Sequence, residues 1–159
     1  MRTKEYFQLA VAVAVPLLAG AVGSVFTSPA ISGWYAQLAR PALSPPNWVF
    51  GPVWTTLFLM MGVAAFLVWR RGLAARAVRV ALGVFVAQLV LNVLWSALFF
   101  GLRRPDLALA EIAVLWLAIA ATILVFRPLS RLAACLLVPY LAWVSFASYL
   151  NFAFWRLNA

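Results

Sequence analysis

Charged residues are scarce in this sequence. Only 9% of its 159 residues are Asp, Glu, Lys or Arg, whereas 67% are hydrophobic, and the mean hydropathy is +1.04. An ordinary soluble domain carries about 25% charged residues, and a soluble fold of this size cannot bury so much apolar surface. The shortage of charge therefore excludes an ordinary soluble protein and indicates an integral membrane protein.

Histidine is absent, and cysteine occurs once, as Cys135 within a long apolar run. Without histidine the chain lacks the commonest ligand of zinc and haem iron and the commonest general base. A single cysteine cannot form an intramolecular disulfide and is expected to be a small packing residue. No motif pairs a nucleophile with a base or forms a phosphate-binding loop. We therefore expect no metal site and no conventional catalytic residues.

Acidic residues are limited to Glu5, Asp106 and Glu111. Glu5 flanks the first apolar run, and Asp106 is placed where a first-turn carboxylate interacts favourably with a helix dipole. Glu111 follows about 1.5 turns later. A carboxylate inside a membrane often marks an ion pathway, but Glu111 lies close enough to the membrane surface to reach Arg103 or Arg104. An interfacial ion pair is therefore preferred to a proton relay.

Long apolar runs dominate the chain instead. They cover residues 6–26, 48–69, 80–100, 107–126 and 132–155. Each is about 20 residues long, which an α-helix needs to cross a hydrocarbon core of about 30 Å. Continuous apolarity over that length excludes the alternating strands of a β-barrel. The first run is too long for a signal peptide. The sequence predicts an all-α integral membrane protein, a single bundle of five transmembrane helices over residues 1–159.

Basic residues are divided unequally between the two ends of such a bundle. Eight of the twelve Lys and Arg residues lie at residues 2–4, 70–79 and 127–131, on one side, and four lie on the other. Because Lys and Arg near span ends are retained in the cytoplasm, the N-terminus is expected to be cytoplasmic and the C-terminus outside. We expect a bacterial cell membrane rather than a mitochondrial outer membrane. The scatter of arginines over both ends argues against nucleic-acid binding.

Aromatic residues are plentiful, with eight Trp, four Tyr and twelve Phe. Trp69 and Trp155 fit an aromatic belt at the membrane surface. Other aromatics share helical faces by their three- and four-residue spacing. These stripes are Trp54, Phe58 and Met61; Gln88, Asn92, Trp95 and Phe99; and Pro139, Trp143, Ala147 and Leu150 beside Phe146. The two amides should face inward and find partners. The stripes fit either core filling or an apolar pocket for a flat hydrophobic ligand.

The segment before the second apolar run is rich in proline and aromatic residues. Pro45, Pro46 and Pro52 fix φ and remove three backbone donors, so a regular helix is expected only from about Pro52. The preceding loop is then long and stiff. At a membrane surface it can fold over the mouth of the bundle as a lid.

Small residues four positions apart recur in two of the runs. This spacing lets helix backbones approach closely. The pairs are Ala19 with Gly23, Gly20 with Ser24, and Gly83 with Ala87. They can pack within one bundle or join two chains, and a homodimer through helices one and three is the preferred interpretation.

Several motifs, in order over nearly the whole chain, resemble one known family. They are Trp-Tyr-x-x-Leu-x-Arg-Pro at 34–41, Pro-Pro-x-Trp-Val-Phe at 45–50, Trp54, Gln-x-x-x-Asn-x-x-Trp at 88–95, Phe-Phe-Gly at 99–101, Pro-Tyr-Leu-Ala-Trp at 139–143 and Leu-Asn at 150–151. The chain thus resembles the TspO/MBR family, the tryptophan-rich sensory proteins and mitochondrial translocator proteins once called peripheral benzodiazepine receptors.

This resemblance implies a bundle whose pocket, closed by the first loop, binds porphyrins, other tetrapyrroles and isoquinoline or benzodiazepine-type ligands. The porphyrin is a ligand, and no cofactor is implied. By matching positions, Trp54 and Trp143 look like the pair that lines the porphyrin site. The implied remaining walls are Trp34, Tyr35, Asn92, Trp95, Phe146, Ala147 and Leu150, with Pro45 and Phe50 at the mouth. Membrane lipid and a second copy of the chain are the other expected partners.

Three functions are compatible with these features. A receptor or sensory protein that affects the traffic of its ligand or a downstream response needs only the pocket, and it is preferred. The resemblance also implies an enzyme that degrades bound porphyrin oxidatively in light, in which Trp54 and Trp143 could donate electrons. A tetrapyrrole or sterol transporter comes third, because no internal repeat or broken helix is visible. The C-terminal segment also lacks the tyrosine of a proposed cholesterol motif.

Overall fold

The protein is built almost entirely of helices in a computed structural model that describes residues 2–159. The five helices are α1 (Thr3–Ile31), α2 (Asn47–Trp69), α3 (Arg76–Ser96), α4 (Pro105–Phe126) and α5 (Arg131–Asn158). A 3₁₀ turn at Tyr35–Gln37 lies in the α1–α2 loop, and α3 continues into a π-helical turn at Ala97–Gly101. All five helices are long and apolar enough to cross a membrane. The predicted five-helix membrane fold is therefore confirmed.

The beginning of α2 differs from its prediction. The helix starts at Asn47 and not at Pro52, with Pro46 at the N-cap position. The first four N–H groups of any α-helix lack an intrahelical acceptor, so Pro45 and Pro46 cost no hydrogen bond there. Pro52 removes one bond within the second turn, and the helix continues through it. The expected helix start was wrong because proline is tolerated so close to a helix N-terminus.

Glycine lets α1 and α2 approach closely where the two helices cross. A Cβ atom at Gly62 would lie 2.6 Å from the Cα atom of Val13 and 2.9 Å from the carbonyl oxygen of Ala12. Both of those atoms belong to the backbone of α1. Only glycine fits this crossing without separating the helices.

The other small residues of α1 also pack within the chain. Gly20 lies against the ring of Phe58, and Gly23 lies against Ser96 of α3. Packing within one bundle, the alternative that the sequence left open, therefore applies to these two glycines. Gly83 on α3 faces open space, so a homodimer through that surface stays a prediction.

The helices pack tightly around a core in one half of the bundle and surround a large cavity in the other half. Near the N-terminal side, Met61, Ile119 and Phe126 are fully buried, and the ring of Phe126 stacks on Phe85 at 5.9 Å. At the opposite end, α1, α2, α3 and α5 separate around a cavity. The packed half holds these helices in position, and their other halves form the candidate site.

Candidate functional site

The cavity has a volume of about 560 Å³ and mostly apolar walls. It is formed by the C-terminal halves of α1, α3 and α5, the first three turns of α2 and the loop before α2. The sequence-predicted site residues that line it are Tyr35, Phe50, Trp54, Asn92, Trp95, Trp143, Ala147 and Leu150. These residues come from four separate segments of the chain, and the fold brings them together around one space.

Three predicted site residues lie outside the cavity wall. Trp34 packs edge-on against Phe99, with 5.9 Å between the ring centroids. Phe146 lies behind Trp143, at a centroid distance of 5.6 Å. Pro45 is in the loop, where its carbonyl oxygen accepts a hydrogen bond from Arg40 at 3.0 Å. All three support neighbouring residues in this structure and do not themselves face the space.

Trp54 and Trp143 form parts of the wall on different helices. Trp54 on α2 stacks on Phe58 at 5.5 Å and meets the edge of Tyr140 at 6.2 Å. Trp143 on α5 meets the edge of Phe50 at 5.9 Å. Stacked and edge-to-face arrangements of this kind fix ring orientation and are worth about 0.5–1.5 kcal/mol each beyond area burial. The two indoles are thus held in place by aromatic neighbours.

A network of polar side chains next to the cavity joins α3 to α5. The side-chain amide of Asn92 donates to the hydroxyl of Tyr140 at 2.8 Å, and that hydroxyl donates to the Oε1 atom of Gln88 at 2.9 Å. All three side chains are buried. In lipid such groups must find partners inside the protein. The prediction that Gln88 and Asn92 face inward and are partnered is confirmed.

A second polar contact fixes the indole of Trp95. Its Nε1 donates to the Oδ1 atom of Asn151 at 2.9 Å, and the amide of Asn151 donates to the carbonyl oxygen of Pro105 at 2.8 Å. This chain of bonds links α3 and α5 to the first residue of α4. It explains why an asparagine sits fully buried among the aromatics at this end of the bundle.

The loop between α1 and α2 closes one side of the cavity through Tyr35. The ring is buried and packs against Phe154 at 5.2 Å and Phe100 at 5.6 Å. The guanidinium of Arg40 lies 5.6 Å from the ring centroid. Burial raises the pKa of the Tyr35 phenol above its ordinary value, and the nearby positive charge of Arg40 offsets part of this effect. The phenol is therefore neutral at physiological pH.

Arg40 also organises the rest of this loop. Its Nη2 donates to the hydroxyl of Ser44 at 3.1 Å, to the carbonyl oxygen of Pro45 at 3.0 Å and to the Oδ1 atom of Asn47 at 3.0 Å. One side chain thus ties the loop to the start of α2. The loop is a fixed cover at this position rather than a loose connection.

The part of the cavity wall that α1 forms was not predicted from the sequence. Gly20, Ser24 and Thr27 line the cavity, although two of them were assigned to a dimer contact. Their spacing of four and then three residues places them on one helical face. A helical face of small and hydroxyl residues, in a chain with three aromatic stripes on other helices, was the sequence signal that could have predicted this wall. Small side chains there leave room for the space that the aromatics surround.

Glu111 is placed differently from its prediction. It is 8% exposed, and within residues 2–159 neither of its carboxyl oxygens has a hydrogen-bond partner. Arg104 instead pairs with Asp106, by contacts of 2.6 and 2.9 Å. The expected ion pair of Glu111 was therefore wrong, because the carboxylate two residues after Arg104 occupies its guanidinium. Glu111 does not line the cavity.

Metal-ligating side chains do not cluster in the described part of the chain: no group of three or more His, Cys, Asp or Glu residues is placed to hold a metal ion. The polar groups of the cavity are amides, hydroxyls and indole N–H groups. Such groups hydrogen-bond a ligand without carrying a formal charge.

Comparison with known proteins gives consistent matches. The model of the TspO/MBR family matches residues 12–156. The chain is 46% identical to "Tryptophan-rich protein TspO" of Chlorobaculum tepidum over 98% of both chains. It is 44% identical to "Translocator protein" of Homo sapiens over 90% of this chain and 85% of that one. It is 42% identical to "Tryptophan-rich sensory protein" of Cereibacter sphaeroides over 79% of this chain and 77% of the relative.

Proposed function

The chain belongs to the TspO/MBR family of membrane sensory and translocator proteins, and we propose that it is a receptor that binds porphyrins and other flat hydrophobic ligands in the cavity between its helices. In this proposal the receptor, by binding its ligand, affects the traffic of that ligand or a downstream response. Binding alone requires no catalytic group and no cofactor.

The observation that carries the proposal is the presence of Trp54 and Trp143 in the wall of one apolar cavity. Its volume of about 560 Å³ falls within the range of small-molecule sites, about 300–1,000 Å³. Aromatic walls favour a flat conjugated ligand, because such a ligand gains both apolar burial and ring-to-ring contact. A rounded aliphatic ligand gains only the first.

The indole of Trp143 also carries an unsatisfied polar group. The Nε1 atom of Trp143 is buried and has no hydrogen-bond partner in the described residues. A buried N–H without an acceptor costs about 1–3 kcal/mol. Rotation of the indole towards the cavity on binding would let a carbonyl or carboxylate oxygen of the ligand satisfy this donor. The preferred ligand is therefore a flat ring system that carries at least one such acceptor.

The test is a titration of the purified protein with protoporphyrin IX in darkness. We expect saturable quenching of tryptophan fluorescence at one ligand per chain, together with a shift of the porphyrin absorption band. An isoquinoline-type ligand should displace the porphyrin. Quenching that never saturates, or that equals the quenching of free N-acetyltryptophanamide in detergent micelles, would contradict the proposal.

A second candidate function is oxidation of the bound porphyrin by oxygen in light, in which Trp54 and Trp143, two of the oxidisable side chains that line the same space, would exchange electrons with the photoexcited ring. Illumination of the complex in the presence of oxygen distinguishes this function from binding. A receptor leaves the absorption spectrum of the porphyrin unchanged relative to the free porphyrin under the same light. An enzyme converts it faster than the free porphyrin decays.

A further inference from the structure

A second cavity, of about 440 Å³, opens at the end of the bundle remote from the first. It lies between the N-terminus of α1 and the loop that joins α2 to α3. Its ionisable lining residues are Arg2, Lys4, Glu5 and Arg70. Three positive side chains against one negative side chain give this space a net positive charge.

Two of the three cations are uncommitted. The carboxylate of Glu5 forms an ion pair with the Nη2 of Arg70 at 3.1 Å and accepts a hydrogen bond from the backbone N–H of Arg2 at 3.1 Å. The side chains of Arg2 and Lys4 make no hydrogen bond or ion pair with the rest of residues 2–159. Glu5 thus neutralises about one positive charge, and the side chains of Arg2 and Lys4 are available to an anion.

The backbone around this space adds to its preference for an anion. The N-terminal turns of α1, a helix of 29 residues, line the cavity, so the positive end of its dipole lies beside it. The loop on the other side is held in shape, because Arg79 donates to the carbonyl oxygens of Leu73 at 2.7 Å and Ala74 at 2.9 Å. The cavity therefore has one fixed wall, which reduces the ordering that a ligand must impose.

Apolar side chains at the rim favour a lipid over a soluble anion. Phe7 is 66% exposed and Leu73 is 48% exposed, and both line the cavity. Trp69, in the last turn of α2, lines it as well. Tryptophan at the end of a membrane-spanning helix lies at the level of the lipid head groups. A phosphate bound here would carry its acyl chains along the exposed Phe7.

We propose that this cavity binds the phosphate of an anionic phospholipid head group, with Arg2, Lys4 and Arg70 as its ligands. Basic pockets between transmembrane helices bind anionic head groups in this way. Five further basic residues lie at the same end of the bundle and raise the local concentration of anionic lipid there: Arg71, Arg76, Arg79, Arg127 and Arg131. This site is separate from the aromatic cavity and does not depend on its ligand.

The test is native mass spectrometry of the full-length protein released from nanodiscs of phosphatidylcholine that contain an increasing fraction of phosphatidylglycerol. We expect one phosphatidylglycerol retained per chain in preference to phosphatidylcholine. The double variant Arg2→Gln/Lys4→Gln should retain it roughly tenfold more weakly. It removes no contact of the folded chain, so its folding should be unaffected. The matched control is Arg127→Gln/Arg131→Gln, which removes the same charge from the same end but outside the cavity.

Equal loss of lipid in both double variants would overturn the proposal, because it would show attraction to the basic end as a whole. Equal retention by wild type and Arg2→Gln/Lys4→Gln would also overturn it. Displacement of phosphatidylglycerol by inorganic phosphate or glycerol phosphate at the same concentration would identify a site for soluble phosphate and overturn the assignment to a lipid.

Discussion

The side-chain amide of Asn158 binds both backbone groups of Ala39. Its Oδ1 accepts the N–H of Ala39 at 2.8 Å, and its Nδ2 donates to the carbonyl oxygen of Ala39 at 3.1 Å. Asn158 is the last residue of α5, and Ala39 lies in the loop between α1 and α2. The end of the last helix therefore holds the loop that covers the aromatic cavity, at a separation of 119 residues in sequence.

Replacing Asn158 should loosen this cover. In Asn158→Ala both bonds to the loop are lost, each with a net worth of about 0.5–1.5 kcal/mol. We expect bound protoporphyrin IX to dissociate about fivefold to tenfold faster, measured by stopped-flow with an excess of competing ligand. Leu157→Ala, one residue earlier and exposed, is the matched control and should dissociate at the wild-type rate. Identical rates in the two variants would show that the loop does not control ligand exit.

The crossing of α1 and α2 should be intolerant of a single added methyl group. Gly62→Ala places a Cβ atom against backbone atoms of α1 that cannot rotate away. Overpacking of this kind costs about 1–3 kcal/mol, so the melting temperature in detergent should fall by several degrees. Gly83→Ala is the control. It meets nothing within 4 Å and should be neutral or stabilising, because alanine favours the helix. Equal melting of the two variants would contradict the close crossing.

Removing the buried hydroxyl of Tyr140 alone should destabilise the fold more than removing it together with the two amides that it joins. Tyr140→Phe leaves the Nδ2 atom of Asn92 and the Oε1 atom of Gln88 without a partner, at a cost of about 1–3 kcal/mol. The triple variant Tyr140→Phe/Asn92→Leu/Gln88→Leu removes the unpaired groups and should recover part of that loss. Thermal melting of the two variants beside wild type measures the difference. A triple variant less stable than Tyr140→Phe would show that the amides act by packing and not by hydrogen bonding.

The orientation of the bundle follows from its charge distribution and awaits measurement. The structure has five spans, so the two termini lie at opposite ends. The end that carries the α2–α3 loop holds eight of the twelve basic residues. Reporter fusions should therefore be cytoplasmic within residues 71–76 and non-cytoplasmic after Ala159. The opposite pattern would contradict the predicted orientation, and cytoplasmic signals at both positions would contradict the odd number of spans.

The helices and the aromatic part of the cavity wall were predictable because they rest on periodic patterns. Five apolar runs of membrane-spanning length define five helices. Residues three or four apart on a helix, such as Asn92 and Trp95 or Trp143 and Ala147, share a face by geometry alone, and all four line the cavity. The inward position of the amides followed from the cost of exposing polar groups to lipid.

The remaining features depend on which partner a residue finds in three dimensions. Arg104 had two carboxylates within reach of its predicted position, and the choice of Asp106 over Glu111 was not readable from spacing. The pairing of Asn158 with Ala39 joins residues 119 positions apart. Likewise, the small residues of α1 fitted a dimer contact as well as a cavity wall until the position of α2 was known.

Replacing Trp54 and Trp143, the two tryptophans assigned to the cavity, distinguishes a binding site from simple core filling. Deleting a buried aromatic wall removes its apolar contact and about 0.5–1.5 kcal/mol of ring interaction. Trp69 and Trp155 do not line this cavity and provide internal controls of the same chemical change.

The most direct measurement is therefore the affinity of protoporphyrin IX for four variants, Trp54→Ala, Trp143→Ala, Trp69→Ala and Trp155→Ala, from its absorption band in darkness, with helicity checked by circular dichroism. Trp54→Ala and Trp143→Ala should each weaken binding about tenfold or more, while Trp69→Ala and Trp155→Ala should bind like wild type. Equal affinities in all four helical variants would contradict binding in this cavity and would assign its aromatic walls to packing alone.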